Sequence, residues 1–574
     1  MTLSRRDILR ALASIGLAPQ ALALAACGDD AGGDSGADTG IGGDAGIGGD
    51  TGTDTGGDTG SDWEDDLDRY EYDGTPGPED LFQHGVASGD PLADAVMLWT
   101  ALTPAGEGEI EVWWEVSENL AFTQRVATGT VLTNADRDYT VKLDATGLEA
   151  GRTYYYRFFA LGRESTTGRT RTAPTGAVDQ LRIAVTSCAS LGHGYFHAYR
   201  SLAQRRDVDV VLNLGDYIYE YGTNQYGNIR EYEPANEIVT LEDYRTRYRQ
   251  YRRDLDLQAA HQQAPWINVW DDHETADNSW RDGAENHQGS EGEWADRKQA
   301  AIQAYYEWLP IREQSEFGRV WRAFQFGDLL DLIMLDTRLW GRDEQVSSTS
   351  DERFDEERQL LGSDQEDWAI EQLQNSSATW KLFGQQVMMA HLKTTGLPES
   401  EGGGTIFNSD QWDGYYGARE RLFDVIEAGD IENVVVLTGD IHSSWAFDLS
   451  KDPNNGDVYD PETGEGSLGV EFVCPGITSP GFPVGTGDAF SLTFEQNNPH
   501  LRWTNLEQRG YLMLDVTPDG LQGTWFHQTD VTDPTYQEDT ASVTLRTAAG
   551  ANHLVEEGSI LPERADYPEP APMP

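Results

Sequence analysis

Cysteine is scarce in this sequence, which has only Cys27, Cys188 and Cys474 among 574 residues. Three cysteines exclude a disulfide framework, so each thiol needs its own explanation. Positive charge is scarce too: 41 lysines and arginines stand against 99 aspartates and glutamates, a formal net charge of −58. A chain this acidic repels phosphate backbones, so we expect no surface for nucleic acid. An anionic substrate would need local cations at its binding site.

The one apolar run near the amino end, residues 11–26, is too short to cross a membrane comfortably. It follows a twin-arginine pattern at Arg5 and Arg6 and ends in Leu-Ala-Ala before Cys27, as in a lipobox. A plain signal peptide with an incidental cysteine is the alternative. The small residues before Cys27 favour a lipoprotein signal peptide over 1–27. We therefore predict lipidation of Cys27 and an exported, periplasmic or cell-surface protein, held at the membrane only by its lipid anchor.

Four segments follow the signal peptide, and their sequence patterns differ. Residues 28 to about 62 are almost entirely Gly, Asp, Thr, Ala and Ser. They cannot offset the entropy of ordering, which predicts a disordered tether over 28–80. Residues 81–174 alternate apolar and polar positions between turns and predict an immunoglobulin-like or fibronectin-like β-sandwich. Residues 180–545 alternate strands with helices and predict a layered α/β domain, followed by a carboxyl-terminal tail over 546–574.

The large domain is organised around residues 208–220, which read VDVVLNLGDYIYE. The apolar run predicts a buried parallel strand that ends at a glycine turn. Asp216 would then lie just past the carboxyl end of the strand, where open α/β sheets bind their ligands. Other predicted strands of this domain also end in reactive side chains. Those residues are Cys188, Asp271, Asp272, His273, Asp336, Asp440 and His442.

Together these side chains offer the ligands of two different cations. A thiolate from Cys188, a phenolate from Tyr219 and the His442 imidazole suit a transition metal, and we predict Fe³⁺. Asp216 would bridge two ions, and Asp272 and Asp440, with a further oxygen from Asp271, suit Ca²⁺. Two such cations can polarise a phosphoryl oxygen, generate a hydroxide and stabilise the leaving oxygen. His273 need not be a ligand, and we predict that it protonates the leaving group.

Each of these side chains also has a purely structural interpretation. Cys188 would serve as a small buried apolar residue, and Tyr219 as a core aromatic. His273 would be a hydrogen-bonded structural histidine, and His442 would cap the next element. Their joint position at strand ends favours a shared site. Cys474 has no such context, and we interpret it as structural.

Several motifs carry a family resemblance. Gly215-Asp216-x-x-Tyr219, Asp272-His273-Glu274 and Gly439-Asp440-x-His442 resemble, in this order, the motifs of purple acid phosphatase-type metallophosphoesterases. Asp272, Asp440 and Cys188 stand where those enzymes carry Asn, His and Asp. These departures match the PhoD-like alkaline phosphatases and phosphodiesterases, as do further motifs along nearly the whole exported chain. They include residues 84–91, 187–190, 304–307, 336–338, 412–415 and 509–511.

The resemblance implies a β-sandwich followed by a four-layer αββα metallophosphatase domain, a ferric ion with calcium, and phosphomonoester or phosphodiester substrates. Gln386 stands where the acid phosphatases place another histidine ligand, which leaves its role open. We expect a monomer that acts on small phosphoesters, or a related diesterase that acts on lipids or teichoic-type polymers. The alternative from another functional class is a non-catalytic surface adhesion or binding module that uses the β-sandwich and an inactive metallophosphatase domain.

Overall fold

Two sheets with parallel centres form the middle of this protein, for which a computed structural model describes residues 67–556 and 559–574. Cys27, the predicted signal peptide and most of the predicted tether lie outside the described residues. The strands are β1 (Val86–Gly89), β2 (Ala95–Ala101), β3 (Ile110–Ser117), β4 (Arg125–Thr133), β5 (Thr140–Thr146), β6 (Thr153–Ala160), β7 (Arg163–Glu164), β8 (Gly168–Arg171), β9 (Leu181–Thr186), β10 (Val210–Asn213), β11 (Trp266–Asn268), β12 (Arg322–Phe326), β13 (Leu330–Met334), β14 (Trp380–Gly384), β15 (Lys393–Gly396), β16 (Gly404–Ile406), β17 (Val434–Thr438), β18 (Ser444–Leu449), β19 (Gly469–Val473), β20 (Leu501–Asn505), β21 (Arg509–Thr517), β22 (Gly520–Gln528) and β23 (Thr540–Ala548).

The α-helices lie between the strands that lead to the site. They are α1 (His197–Gln204), α2 (Leu241–Arg252), α3 (Leu255–Gln263), α4 (Trp294–Trp308), α5 (Ser363–Asn375), α6 (Tyr416–Ala428) and α7 (Gly487–Asn497). Local sequence sets their starts: Thr240 and Asp243 form a capping box on α2, and the Asp254 side chain accepts two backbone N–H groups of α3. No helix in the described ranges is both long enough and apolar enough to cross a membrane.

The larger sheet has the order β23-β22-β21-β9-β10-β11-β1-β2-β5, and β9, β10, β11 and β1 run parallel. The second sheet has the order β12-β13-β14-β17-β19-β18-β20, with β13, β14, β17 and β19 parallel. The sheets pack face to face: the Trp525 ring packs on Phe472, and the Trp525 indole donates to the carbonyl of Val473. The prediction of a mixed α/β fold with an amino-terminal β-domain is confirmed.

The amino-terminal β-sandwich shares a layer with the larger sheet. β3, β4, β6, β7 and β8 form a five-stranded sheet of their own. It encloses an apolar core with β1, β2 and β5, where Val96 and Leu98 meet Val112 and Phe158. Since β1 also pairs with β11, backbone hydrogen bonds join this sandwich to the strands that carry the site.

The segment that we predicted as a carboxyl-terminal tail is docked where the structure describes it. The Arg564 guanidinium donates to the Asp209 carboxylate, and the Tyr567 hydroxyl donates to the carbonyl of Val208 at the start of the central strand. Ala571 exchanges two hydrogen bonds with the side chain of Gln263 at the end of α3. Residues 559–574 therefore brace the same strands that lead to the site.

Candidate metal centre

Strained backbone marks the strand ends at which the candidate residues lie. Cys188, Asp216, Asp440 and His442 have φ values of 58°, 56°, 61° and 58°, in the left-handed region that side chains rarely adopt. Each such residue costs on the order of 1–3 kcal/mol, and such residues cluster at functional sites. The larger sheet supplies Cys188 and Asp216 after β9 and β10, and the second sheet supplies the other two after β17. The facing sheets thus bring both pairs together.

The first cluster contains the predicted ligands of the transition metal. The ligand atoms of Cys188, Asp216 and His442 all lie within 4.8 Å of one another. The Tyr219 hydroxyl donates to Asp216 Oδ2 at 2.7 Å and lies 3.2 Å from His442 Nε2. The structure therefore places one thiol, one carboxylate, one phenol and one imidazole around a single point.

A loop that our sequence reasoning missed closes this cluster. Ser479 Oγ donates to the Tyr219 hydroxyl at 2.6 Å and lies 2.8 Å from the carbonyl of Cys188. His442 Nδ1 faces the carbonyl of Pro480 at 3.1 Å, which leaves Nε2 directed at Asp216. Residues 476–481 thus orient three candidate ligands. No motif in this loop distinguishes it from an ordinary turn.

A second cluster shares Asp216 with the first. The ligand atoms of Asp216, Asp272 and His273 lie within 4.8 Å of one another. Asp272 Oδ2 accepts the backbone N–H of Asn278 at 2.7 Å, which fixes the carboxylate. Asp216 therefore lies where a carboxylate bridging two cations would be.

His273 is held by a partner that we had assigned no role. Its Nδ1 lies 2.7 Å from Glu220 Oε2, and the fully buried imidazole lies 4.2 Å from the Tyr219 ring, tilted by 32°. Burial opposes the charged imidazolium, but the carboxylates of Glu220, Asp216 and Asp272 outweigh it and raise the pKa of His273 well above its ordinary value. Nε2 is left facing the second cluster.

Arg338 holds the remaining predicted ligands. Its guanidinium donates to Asp271 Oδ1, to Asp440 Oδ1 at 2.7 Å and to Asp410 Oδ2 at 2.8 Å, and it lies 3.7 Å from Asp272. All five side chains are buried. Arg338 follows β13 in the motif 336–338, but its partners come from three other strand ends. Only tertiary structure could reveal this convergence.

Gln386, Glu274 and Cys474 support the site without facing it. Both ends of the Gln386 amide bond to the neighbouring loop: Oε1 accepts from Thr337, and Nε2 donates to the carbonyl of Leu335. Glu274 accepts the backbone N–H groups of Asp216, Tyr217 and Asp271, so it ties two strand-end loops together. The buried Cys474 thiol lies 3.2 Å from Ser187 Oγ and belongs to neither cluster.

Several buried polar atoms at the site lack a hydrogen-bond partner in the described part of the chain. They are Asp216 Oδ1, Asp271 Oδ2, Asp272 Oδ1 and His273 Nε2. A buried carboxylate oxygen without a partner costs several kcal/mol, on the order of a lost charged hydrogen bond. Cations bound at the three carboxylate oxygens would remove that penalty, so the residues present fit a metal centre.

The thiol and the phenol of the first cluster are neutral when no cation is bound. Burial, then the charge of Asp216, raises the pKa of the Cys188 thiol and of the Tyr219 hydroxyl well above their ordinary values. Without a cation both groups stay protonated. A bound metal ion reverses this, because it stabilises thiolate and phenolate directly.

Comparisons with known proteins agree with this geometry. The profile of the family described as "PhoD-like phosphatase" matches residues 183–525, and that of its N-terminal domain matches 71–174. Alkaline phosphatase D of Bacillus subtilis (strain 168) is 39% identical over 478 residues, which cover 79% of this chain and 78% of the relative. The solved "Structure of PhoD" is 36% identical, covers 86% of this chain and 94% of that chain, and superposes with a TM-score of 0.77.

The fold and the site define a phosphoric ester hydrolase whose residues can bind metal ions. The chain belongs to the PhoD-like phosphatase family. The predicted resemblance and the predicted enzyme class are thereby confirmed. The roles assigned to individual site residues and the bounds of the domains stay predictions.

Proposed function

We propose that this protein is an exported alkaline phosphatase or phosphodiesterase that hydrolyses phosphate mono- or diesters at a centre of one Fe³⁺ and one Ca²⁺. The observation that carries the proposal is the position of Asp216, which belongs to both clusters of candidate ligands. Cys188, Tyr219 and His442 would hold iron beside it. Asp272, with Asp271 and Asp440, would hold calcium on the other side.

Such a pair of cations supplies Lewis acid catalysis and, from bound water, a nucleophile at neutral pH. The chain itself positions the reacting groups. Glu220 fixes the His273 ring through Nδ1, so a proton at Nε2 faces the second cluster and can be donated to the leaving oxygen. Arg338 fixes the carboxylates of Asp271 and Asp440 by donating a hydrogen bond to one oxygen of each.

Hydrolysis assays test the proposal directly. Purified protein is assayed with p-nitrophenyl phosphate and bis-p-nitrophenyl phosphate, before and after removal of calcium by a chelator. We expect turnover of at least one ester, loss of activity with the chelator while iron stays bound, and recovery when calcium is restored. If neither ester is hydrolysed by the metal-loaded protein, the binding-module alternative replaces the enzyme.

Iron bound by the Tyr219 phenolate predicts a visible charge-transfer band. We expect Tyr219→Phe to alter this band more than any other tyrosine substitution. The matched control is Tyr226→Phe, because the Tyr226 ring stacks 5.4 Å from Tyr219 but its hydroxyl has no partner in the described chain. Absorption spectra and elemental analysis check the prediction. A colourless, fully active enzyme without iron would contradict it.

An acid role for His273 predicts a dependence on the leaving group. General acid catalysis is typically worth about 10²–10⁴-fold and matters most for poor leaving groups. We therefore expect His273→Ala to slow alkyl phosphates far more than p-nitrophenyl phosphate, with both metals retained. His553→Ala is the control, since His553 pairs with Asp448 and belongs to neither cluster. Equal losses on both substrates would remove the acid role, and loss of metal would make His273 a ligand.

We also propose export by the twin-arginine route, a lipid anchor at Cys27 and a monomeric protein with no nucleic-acid partner. The twin-arginine pattern, the small residues before Cys27 and the charge of −58 support this. Mass spectrometry of protein from its native membrane should find the mature chain beginning at an acylated Cys27. An unmodified Cys27 inside a longer chain would refute the anchor.

A further inference from the structure

Arg509 lies beside the first cluster and takes no part in the roles assigned above. It opens β21, which pairs antiparallel with β9 so that Leu512 faces Val185. β21 thus brings Arg509 to the edge of the sheet where Cys188 follows β9. Its guanidinium also lies close to His442, because a Cβ at Gly481 would be 2.9 Å from Arg509 Nη1 and 2.6 Å from the carbonyl of His442.

The Arg509 guanidinium is buried without a counter-ion. Nη1 donates to the carbonyls of Glu507 and Gln508, and within the described residues no carboxylate forms an ion pair with Arg509. Burial lowers the pKa of Arg509 to about 10, although the Tyr226, Cys188, Glu507 and Tyr219 groups oppose this. The side chain therefore stays charged at neutral pH.

Other buried arginines of the described chain have more partners, although Arg252 Nε has none. Arg338 pairs with carboxylates, as shown above. Arg247 donates to four backbone carbonyls and lies over the Tyr232 ring, and Arg252 donates to two carbonyls and lies over Trp99. Among the described residues, Arg509 lies over no aromatic ring and donates only through Nη1. A buried cation with unused donors beside a catalytic centre is the arrangement that binds an oxyanion.

Resting on the proposed function, we propose that Arg509 forms an anion subsite that binds the non-bridging oxygens of the phosphoryl group and favours phosphomonoesters over diesters. A monoester presents up to two negative charges and three free oxygens, whereas a diester presents one charge and two. A guanidinium that binds two oxygens side by side discriminates between them by charge and by geometry. Arg509 would thus determine specificity, while the clusters perform the chemistry.

The test compares Arg509→Gln and Arg509→Lys with wild type and with Arg546→Gln, a half-exposed arginine on the outer strand β23. Calorimetry measures the dissociation constant of inorganic phosphate for each metal-loaded protein, and kinetics give KM and kcat for both p-nitrophenyl esters. We expect Arg509→Gln to raise the phosphate dissociation constant and the monoester KM about 10- to 100-fold, the range for losing charged hydrogen bonds. The diester KM should change less than about tenfold, and Arg546→Gln should match wild type.

Arg509→Lys keeps the charge but loses the fork of donors, so its phosphate affinity should lie between those of wild type and Arg509→Gln. If Arg509→Gln fails to fold, Arg509→Lys tests the proposal alone. A phosphate affinity of Arg509→Lys equal to that of wild type then overturns the proposal. Unchanged phosphate binding in Arg509→Gln overturns it as well. A wild-type protein that binds phosphate but hydrolyses neither ester would refute the proposed function. The phosphate dissociation constants of wild type and the Arg509 variants would still test the anion subsite.

Discussion

Asp216→Asn should abolish hydrolysis of both p-nitrophenyl esters, with kcat/KM lower by about 10⁴-fold or more. Asp216 belongs to both ligand clusters, and Tyr219 donates to it at 2.7 Å. The isosteric amide keeps the shape but loses the charge that would bridge the two proposed cations. Metal ions supply several kcal/mol of transition-state stabilisation. Raising the activation free energy by about 1.4 kcal/mol slows a reaction tenfold. Elemental analysis should find that the variant has lost its calcium and contains less iron than wild type.

Asp430→Asn is the matched control for this substitution. Asp430 also has a left-handed backbone, with φ at 50°, but it is exposed just after α6. The control should keep both metals and wild-type kinetics, which separates the loss of a ligand from the effect of Asn at a left-handed position. Normal metal content in Asp216→Asn would show that Asp216 does not bridge.

Arg338→Met should lower the free energy of unfolding of the metal-free protein by about 3–5 kcal/mol. Removing one partner of a buried ion pair leaves uncompensated charges in the interior. Here the Asp271, Asp410 and Asp440 carboxylates would all lose the guanidinium that they share. Urea denaturation measures the change.

Arg281→Met is the control, because Arg281 pairs with Asp282 at the surface with a side chain that is 47% exposed. A surface ion pair of this kind is worth about 0–1 kcal/mol. If Arg338→Met is no less stable than Arg281→Met, Arg338 does not hold the carboxylates together in solution.

The strands that lead to the site could be predicted from the sequence because each is a short apolar run that ends in a polar turn. The central run of residues 208–220 contains β10, which the sequence predicts as a buried strand. Parallel strands of one sheet end at a common edge, so Cys188, Asp216 and Asp272 could be expected to converge. His442 follows a strand of the second sheet and joins them because the two sheets face each other. Their convergence required no knowledge of individual contacts.

The supporting contacts could not be predicted, because their partners are far apart in sequence. Arg338 meets Asp440 across 102 positions, and Ser479 meets Tyr219 across 260. Glu220 lies in the central stretch, yet only the folded chain places it against His273. Nor did composition reveal that residues 559–574 dock on Asp209 and Gln263, because Arg564 lies 355 positions from Asp209 and Ala571 lies 308 from Gln263.

Anomalous diffraction from crystals of the metal-loaded protein, with data collected on both sides of the iron absorption edge, tests the central claim most directly. We predict an iron peak in contact with Cys188, Asp216, Tyr219 and His442. A second ion without iron signal should lie beside Asp272 and share Asp216. An iron peak elsewhere, or no ion between Cys188 and His442, would contradict the two-cation centre.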